Sequence, residues 1–234
     1  MSSNTPQSGE GFAPAVDPSL PPWQRHKHQP HWRNNDDEYQ GAKLGMWLFL
    51  TTELLLFSGM FCAYTIFRML HSEDFERASH KYLDWEIGAI NTVVLLISSF
   101  TVALAIRNAQ MNQQRALKIN LFITILCGLF FLFAKIFYEY IPKIQEGKVP
   151  GANFSYAGAE SAYDPLFMSI YWVSTAIHGS HVVIGVGLLA WCLWVASKRR
   201  YGPTHYTSLE NVGLFWHLVD LIWIFLFPLL YLVG

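Results

Sequence analysis

The sequence predicts an all-α, polytopic membrane protein with five transmembrane helices in an antiparallel bundle. Three observations predict it. Of the 234 residues, 52% are hydrophobic and only 14% are charged, where a soluble domain carries about 25% charged residues. Of the 16 basic and 17 acidic side chains, all but Glu53, Lys135 and Asp220 fall in polar stretches; those three stand alone inside long apolar runs. Each run reaches the roughly 20 residues needed to cross a ~30 Å hydrocarbon core. This distribution excludes a soluble globular enzyme and a disordered chain. A net charge of -1 with no long basic run argues against nucleic acid as a partner. Cys62, Cys127 and Cys192 all sit in apolar runs without a C-x-x-C pair, so no disulfide framework is expected.

In chain order, residues 1–43 are rich in Pro, Ser, Gln and His and lack apolar periodicity. They are expected to be a polar, flexible arm and not a secretory signal. The membrane domain, 44–234, follows. Its spans are expected at about 44–67, 87–106, 119–138, 166–196 and 211–233. The fourth is long enough to tilt or to protrude from the bilayer. Ten basic residues lie in the arm and the second and fourth loops, against five in the first and third loops. The positive-inside rule then places the N-terminus in the cytoplasm and the C-terminus outside, as an odd number of spans requires. Trp47, Trp85, Trp172 and Tyr231 fall near span ends, where interfacial aromatics belong.

Ionisable groups within spans are the candidate functional residues, because burying them in lipid is costly. Glu53 lies about 13 Å along the first span at ~1.5 Å per residue. Two roles fit it: a proton-exchanging acid, or a neutral acid that sets helix packing. No buried partner is visible in the sequence, so a protonated, anchoring Glu53 is expected. His178 and His181, in His-Gly-Ser-His, share a helix face at i, i+3. They fit inter-helix hydrogen bonds, lipid headgroup contact or, with His217, a haem or metal site. No Cys or carboxylate at ligand spacing supports a metal. Gly179, Ser180, Gly185 and Gly187 are small enough to bring a second helix close. His217 and Asp220, also i, i+3, are read as a structural pair. Lys135 and Glu139, at i, i+4, are read as an ion pair at the end of the third span, with Lys135 long enough to snorkel outward. His26, Lys27, His28 and His31 in the arm are read as solvated.

Several of these stretches together resemble subunit III of the haem–copper oxidases, and in particular of a bacterial cytochrome c oxidase. They are Gly45-Met46-Trp47-Leu48-Phe49-Leu50-Thr51-Thr52-Glu53-Leu54-Leu55-Leu56-Phe57, Ile90-Asn91-Thr92-Val93-Val94, Leu121-Phe122-Ile123-Thr124, His178-Gly179-Ser180-His181-Val182-Val183-Ile184-Gly185 and Phe215-Trp216-His217-Leu218-Val219-Asp220-Leu221-Ile222-Trp223. The likeness runs from about residue 41 to the C-terminus and is to the five-helix form of the family. It implies a subunit of an O2-reducing, proton-translocating enzyme of the bacterial inner membrane. The subunit would hold no haem or copper itself, since both lie in partner subunits. It would pack against subunit I in a complex with subunit II, take structural phospholipids into its clefts, and sustain proton uptake and turnover stability. The electron donor of the complex would be cytochrome c.

Glu53 matches the carbodiimide-reactive glutamate of that family. The quinol oxidase branch tends to have Asp there, which makes a quinol oxidase the rival reading. A free-standing transporter or haem-binding protein is the rival from another class. Ile87-Gly88 departs from the Leu-Pro that the family often has before this span, and the arm has no family counterpart.

Overall fold

The computed structural model describes residues 19–25 and 32–232; His26, Lys27, His28 and His31 lie outside the described residues. The order of elements is a 3-10 turn (Pro22–Arg25), α1 (Asn35–Leu70), α2 (Ser72–Tyr82), α3 (Trp85–Gln110), α4 (Gln114–Ala134), a π-helical segment (Lys135–Tyr140), α5 (Ile141–Gln145), a second 3-10 turn (Gly151–Asn153), α6 (Asp164–Ser197), α7 (Thr207–Phe227) and a terminal π segment (Pro228–Leu232). Five helices are long and apolar enough to cross a membrane: α1, α3, α4 continued through α5, α6, and α7 continued through Leu232.

The first helix starts ahead of its apolar run. Asn34 caps it by accepting from the Asp37 N–H at 2.7 Å, and Asp36, Asp37 and Glu38 occupy its first turn, where carboxylates meet the positive end of the helix dipole. The start of α3, left open by Ile87-Gly88, is set by Asp84, whose carboxylate accepts from the Glu86 N–H at 3.0 Å. Phe227 packs onto Gly88, and a Cβ there would stand 2.5 Å from the ring.

The spans alternate in direction. At one end Gln114 donates to the Tyr201 carbonyl (2.9 Å), Trp23 lies against Gly202, and Lys43 on α1 pairs with Glu210 on α7 (2.7 Å). At the other end Tyr64 and Ser79 donate to the carbonyls of Leu229 and Leu230 (2.6 and 2.7 Å). Those bonds satisfy backbone groups at the irregular end of α7, where Pro228 interrupts the helical ladder.

The spans differ in how enclosed they are. Half of the most apolar window of α7 is buried against 11% in α1. So α7 is the centre of the bundle and α1 its edge, with Leu55, Leu70 and Met69 pointing away from the protein. The core forms around Trp216, which is fully buried and wedged against Gly128 on α4 and Gly185 on α6. A Cβ at either glycine would meet the indole at 2.7 Å. Of the glycines expected to bring helices together, only Gly185 does so; a Cβ added at Gly179 or Gly187 would have no neighbour within 4 Å.

Candidate functional site

Inside the bundle the ionisable groups form three sets, and the rotation of each helix decides which residues meet. The first set joins the edge of the bundle to its body. Glu53 on α1 faces α6, and its Oε2 lies 2.9 Å from His181 Nε2, with side-chain exposures of 18% and 14%. The other ring nitrogen, Nδ1, lies 2.8 Å from the Ile177 carbonyl one turn back on α6. An imidazole bonded to a carbonyl in this way is a donor at Nδ1, which leaves Nε2 to accept from a neutral carboxyl, or to donate to a carboxylate once the ring is protonated. Phe57 covers the pair, its ring centroid 5.2 Å from that of His181. The partner of Glu53 is therefore a histidine 128 positions away, a separation that no local pattern in the sequence reveals. The expectation of an unpartnered acid is corrected on this point.

The second set lies between α3 and α7. His217 and Asp220 make no ion pair with one another; each turns to a serine of α3 instead. Ser99 Oγ lies 2.6 Å from His217 Nδ1, and Ser98 Oγ approaches Asp220 Oδ2 at 3.5 Å. The reason is geometric: neighbours at i, i+3 on one face of α7 both point at the helix opposite. Trp216 Nε1 donates to Ser98 Oγ (3.0 Å), and Thr101 and Thr124 bond across α3 and α4 (2.8 Å).

The third set is the most enclosed. Lys135 Nζ lies 2.6 Å from Glu139 Oε2. Tyr231 donates to the same oxygen at 2.7 Å, as does Tyr171, and Lys143 stands 3.6 Å from it. Lys143 also donates to the Tyr171 hydroxyl at 3.3 Å. Lys135 is 4% exposed, so it does not snorkel; its ammonium sits among the rings of Trp223, Tyr231 and Tyr171, at 4.7, 5.0 and 5.5 Å from their centroids. The π segment explains the alignment. An i, i+4 stripe on an α-helix drifts around the axis because four residues exceed one 3.6-residue turn. The wider π turn takes up that drift, so Lys135, Glu139 and Lys143 all face inward. Sequence reasoning missed Lys143, Tyr171 and the inward position of Tyr231; the continuing stripe 135, 139, 143 was the available signal.

His178 belongs to none of these pairs. It is buried, stacks on Trp223 (centroids 5.2 Å apart) and meets Phe131 edge to face. Although His178 and His181 share a helix, their rings reach different neighbours, and among the described residues no three His, Cys, Asp or Glu side chains converge.

Outside the spans, a fourth cluster ties α2 to the loop before α6. Arg77 bonds Asp74 at 2.7 Å, Lys81 pairs with Glu160, and Tyr82 donates to Asp164 Oδ2 at 2.8 Å. Hydrogen bonds from Ser161 and Arg77 hold the Asp74 carboxyl below its usual range. The bond from Lys81 does the same for Glu160. Burial, reinforced by the Asp164 bond, pushes the Tyr82 hydroxyl well up.

The fold and these sets define an integral membrane helical bundle whose polar chemistry is turned inward, with lipid-facing surfaces left apolar. The chain matches the family model for cytochrome c oxidase subunit III over residues 31–234 and belongs to that family. It is 29% identical over 198 residues to the probable quinol oxidase subunit 3 of Staphylococcus haemolyticus, covering 84% of this chain and 91% of the relative. It is 30% identical over 195 residues to the probable quinol oxidase subunit 3 of Staphylococcus aureus (strain USA300), covering 82% and 89%. Membership makes the chain part of an oxidase complex with other subunits.

Proposed function

We propose that this chain is the non-catalytic subunit III of a proton-pumping haem–copper oxidase that receives electrons from cytochrome c. Haem and copper reside in partner subunits. The chain packs against subunit I, in complex with subunit II, and keeps proton uptake and turnover intact. The observation that carries this reading is the Glu53–His181 contact. Among the described residues it is the one polar side-chain link that holds the middle of the loosely packed α1 to α6, and it consists of two groups able to share a proton. On the charge-bias topology, with the N-terminus cytoplasmic, the link lies near mid-bilayer, slightly toward the side from which protons are taken up. The clefts beside α1 are filled by phospholipid, because its apolar side chains have few protein neighbours.

Glu53, where the quinol branch tends to have Asp, supports cytochrome c as donor. The names of the relatives support a second reading, a quinol oxidase. Purified complex assayed with reduced cytochrome c and with a quinol separates the two: turnover with cytochrome c alone supports the first, and turnover with quinol alone replaces it by the second. A reporter fused to the C-terminus should be active outside the cytoplasm; activity inside would overturn the topology.

A further inference from the structure

The heart of the bundle holds buried polar atoms that no protein group reaches. His178 is 1% exposed, and neither ring nitrogen has a hydrogen-bond partner. Asn91 is fully buried, and both atoms of its amide are unpaired. Glu139 receives its three short contacts on Oε2 and none on Oε1, and Asp220 Oδ1 is likewise unpaired. These atoms come from α3, the π segment after α4, α6 and α7. Trp223 stacks on His178, lies 4.7 Å from the Lys135 ammonium that holds Glu139, and donates its N–H to Thr92, the neighbour of Asn91, at 3.0 Å. Asp220 precedes it by three residues on the same helix face. His181, one turn along α6, uses both of its nitrogens.

Buried amides, imidazoles and carboxylates are costly without partners, and lipid offers none. All four residues are enclosed by this chain alone, so neither an acyl chain nor another subunit reaches them. The occupant must be small, and it must both donate and accept. A neutral imidazole asks for one of each, an amide for both, and the carboxylate oxygens for donors. A cation is disfavoured by the adjacent Lys135 and by the lack of three converging His, Cys, Asp or Glu side chains among the described residues. An anion is disfavoured by the carboxylate oxygens. Water meets every requirement, and buried waters of this kind make about three hydrogen bonds each.

We propose that the bundle binds ordered internal waters, which solvate His178, Asn91 and the free oxygens of Glu139 and Asp220. His178 is then a water-holding residue, not a ligand for metal or for a lipid headgroup. The inference does not depend on which donor feeds the oxidase.

The test is a density map of the intact oxidase complex at a resolution that resolves water, with wild-type chain and with His178→Phe. Peaks are expected about 2.7–3.2 Å from the His178 nitrogens and the Asn91 amide. The His178→Phe map should lose the peaks at the ring and keep those at Asn91. A map without such peaks, or with these side chains turned to bond one another directly, overturns the proposal. Asn91→Leu provides a second readout of similar shape. In a hydrated core it strands water and lowers the melting temperature of the complex by about 2–4 °C; in a dry core it removes an unpaired amide and leaves the melting temperature unchanged or higher. Either of the latter results overturns the proposal at Asn91.

Discussion

Glu53–His181 and Lys135–Glu139–Lys143 are both ionisable contacts inside spans, but they are built differently. The first links two helices through two side chains at the bundle's edge, each still partly exposed. The second gathers two lysines and two tyrosines onto one carboxylate that is 1% exposed. The difference teaches what a buried charge is for. At the enclosed carboxyl group four donors converge and replace the water it lost. A carboxyl with a single imidazole partner faces a group that can either donate or accept a hydrogen bond.

Removing the central acid should break the enclosed set most severely. Glu139→Ala leaves two ammonium groups buried without their counter-ion, a loss of about 3–5 kcal/mol. The expected outcome is loss of assembled subunit, read from the chain retained in the detergent-purified complex. Normal assembly would show that the lysines are neutral or hydrated without Glu139.

At the edge pair the effect should be smaller. Glu53→Ala leaves His181 Nε2 without its partner, worth about 1–3 kcal/mol, and should loosen α1 and speed inactivation during turnover. Glu53→Gln keeps the hydrogen bond and removes the titration. If Glu53 anchors, Gln restores near-normal turnover and pumping. If it exchanges protons, Gln slows proton uptake as much as Ala does. Proton-uptake kinetics of the two variants decide between these roles, and the partner supplied by His181 makes the exchange role physically available.

Lys143→Met sharpens the comparison from within the enclosed set. Lys143 stands 3.6 Å from Glu139 and makes a long 3.3 Å hydrogen bond to the Tyr171 hydroxyl, and its loss brings the cluster to one cation and one anion. Stability should change by less than about 1 kcal/mol, or rise, since well-packed apolar groups replace surplus buried charge without penalty. Thermal melting of the complex provides the measurement.

The smallest effect belongs to the solvent-facing cluster at the end of the bundle. Asp74 and Glu160 both titrate below their ordinary values. Their contribution is therefore fully present above their unfolded pKa values, near pH 4, and is lost as pH falls through the lower folded values. Amide protection factors, which are exchange rates normalised to the intrinsic rate at each pH, should fall in residues 146–163 at about pH 3 relative to pH 7, while the buried Lys135–Glu139 region stays protected. Equal loosening in both places would erase the distinction between exposed and enclosed pairs.

Much of the chain is legible without coordinates. The five spans and the Lys135–Glu139 ion pair follow from hydropathy and helical spacing, whereas the outward reach expected of Lys135 and the lack of a partner expected for Glu53 do not survive. The pairing of His217 with Asp220 does not survive, because i, i+3 neighbours on α7 share a direction and so meet α3 in place of each other. Tyr231 stands near the end of a span, a position that predicts an interfacial ring, yet the π segment at Pro228–Leu232 turns it inward to Glu139.

The sequence by itself determined the membrane character, the number of spans and the identity of the costly groups, because these depend on composition and on spacing along one helix. Only the tertiary structure decided that Glu53 faces His181, that one carboxylate collects Lys135, Lys143, Tyr171 and Tyr231, and that His178 is left to Trp223. Such contacts join residues far apart in the chain. They depend on the rotation of each helix about its axis, which the packing of Trp216 against Gly128 and Gly185 and the π turn after Ala134 set together.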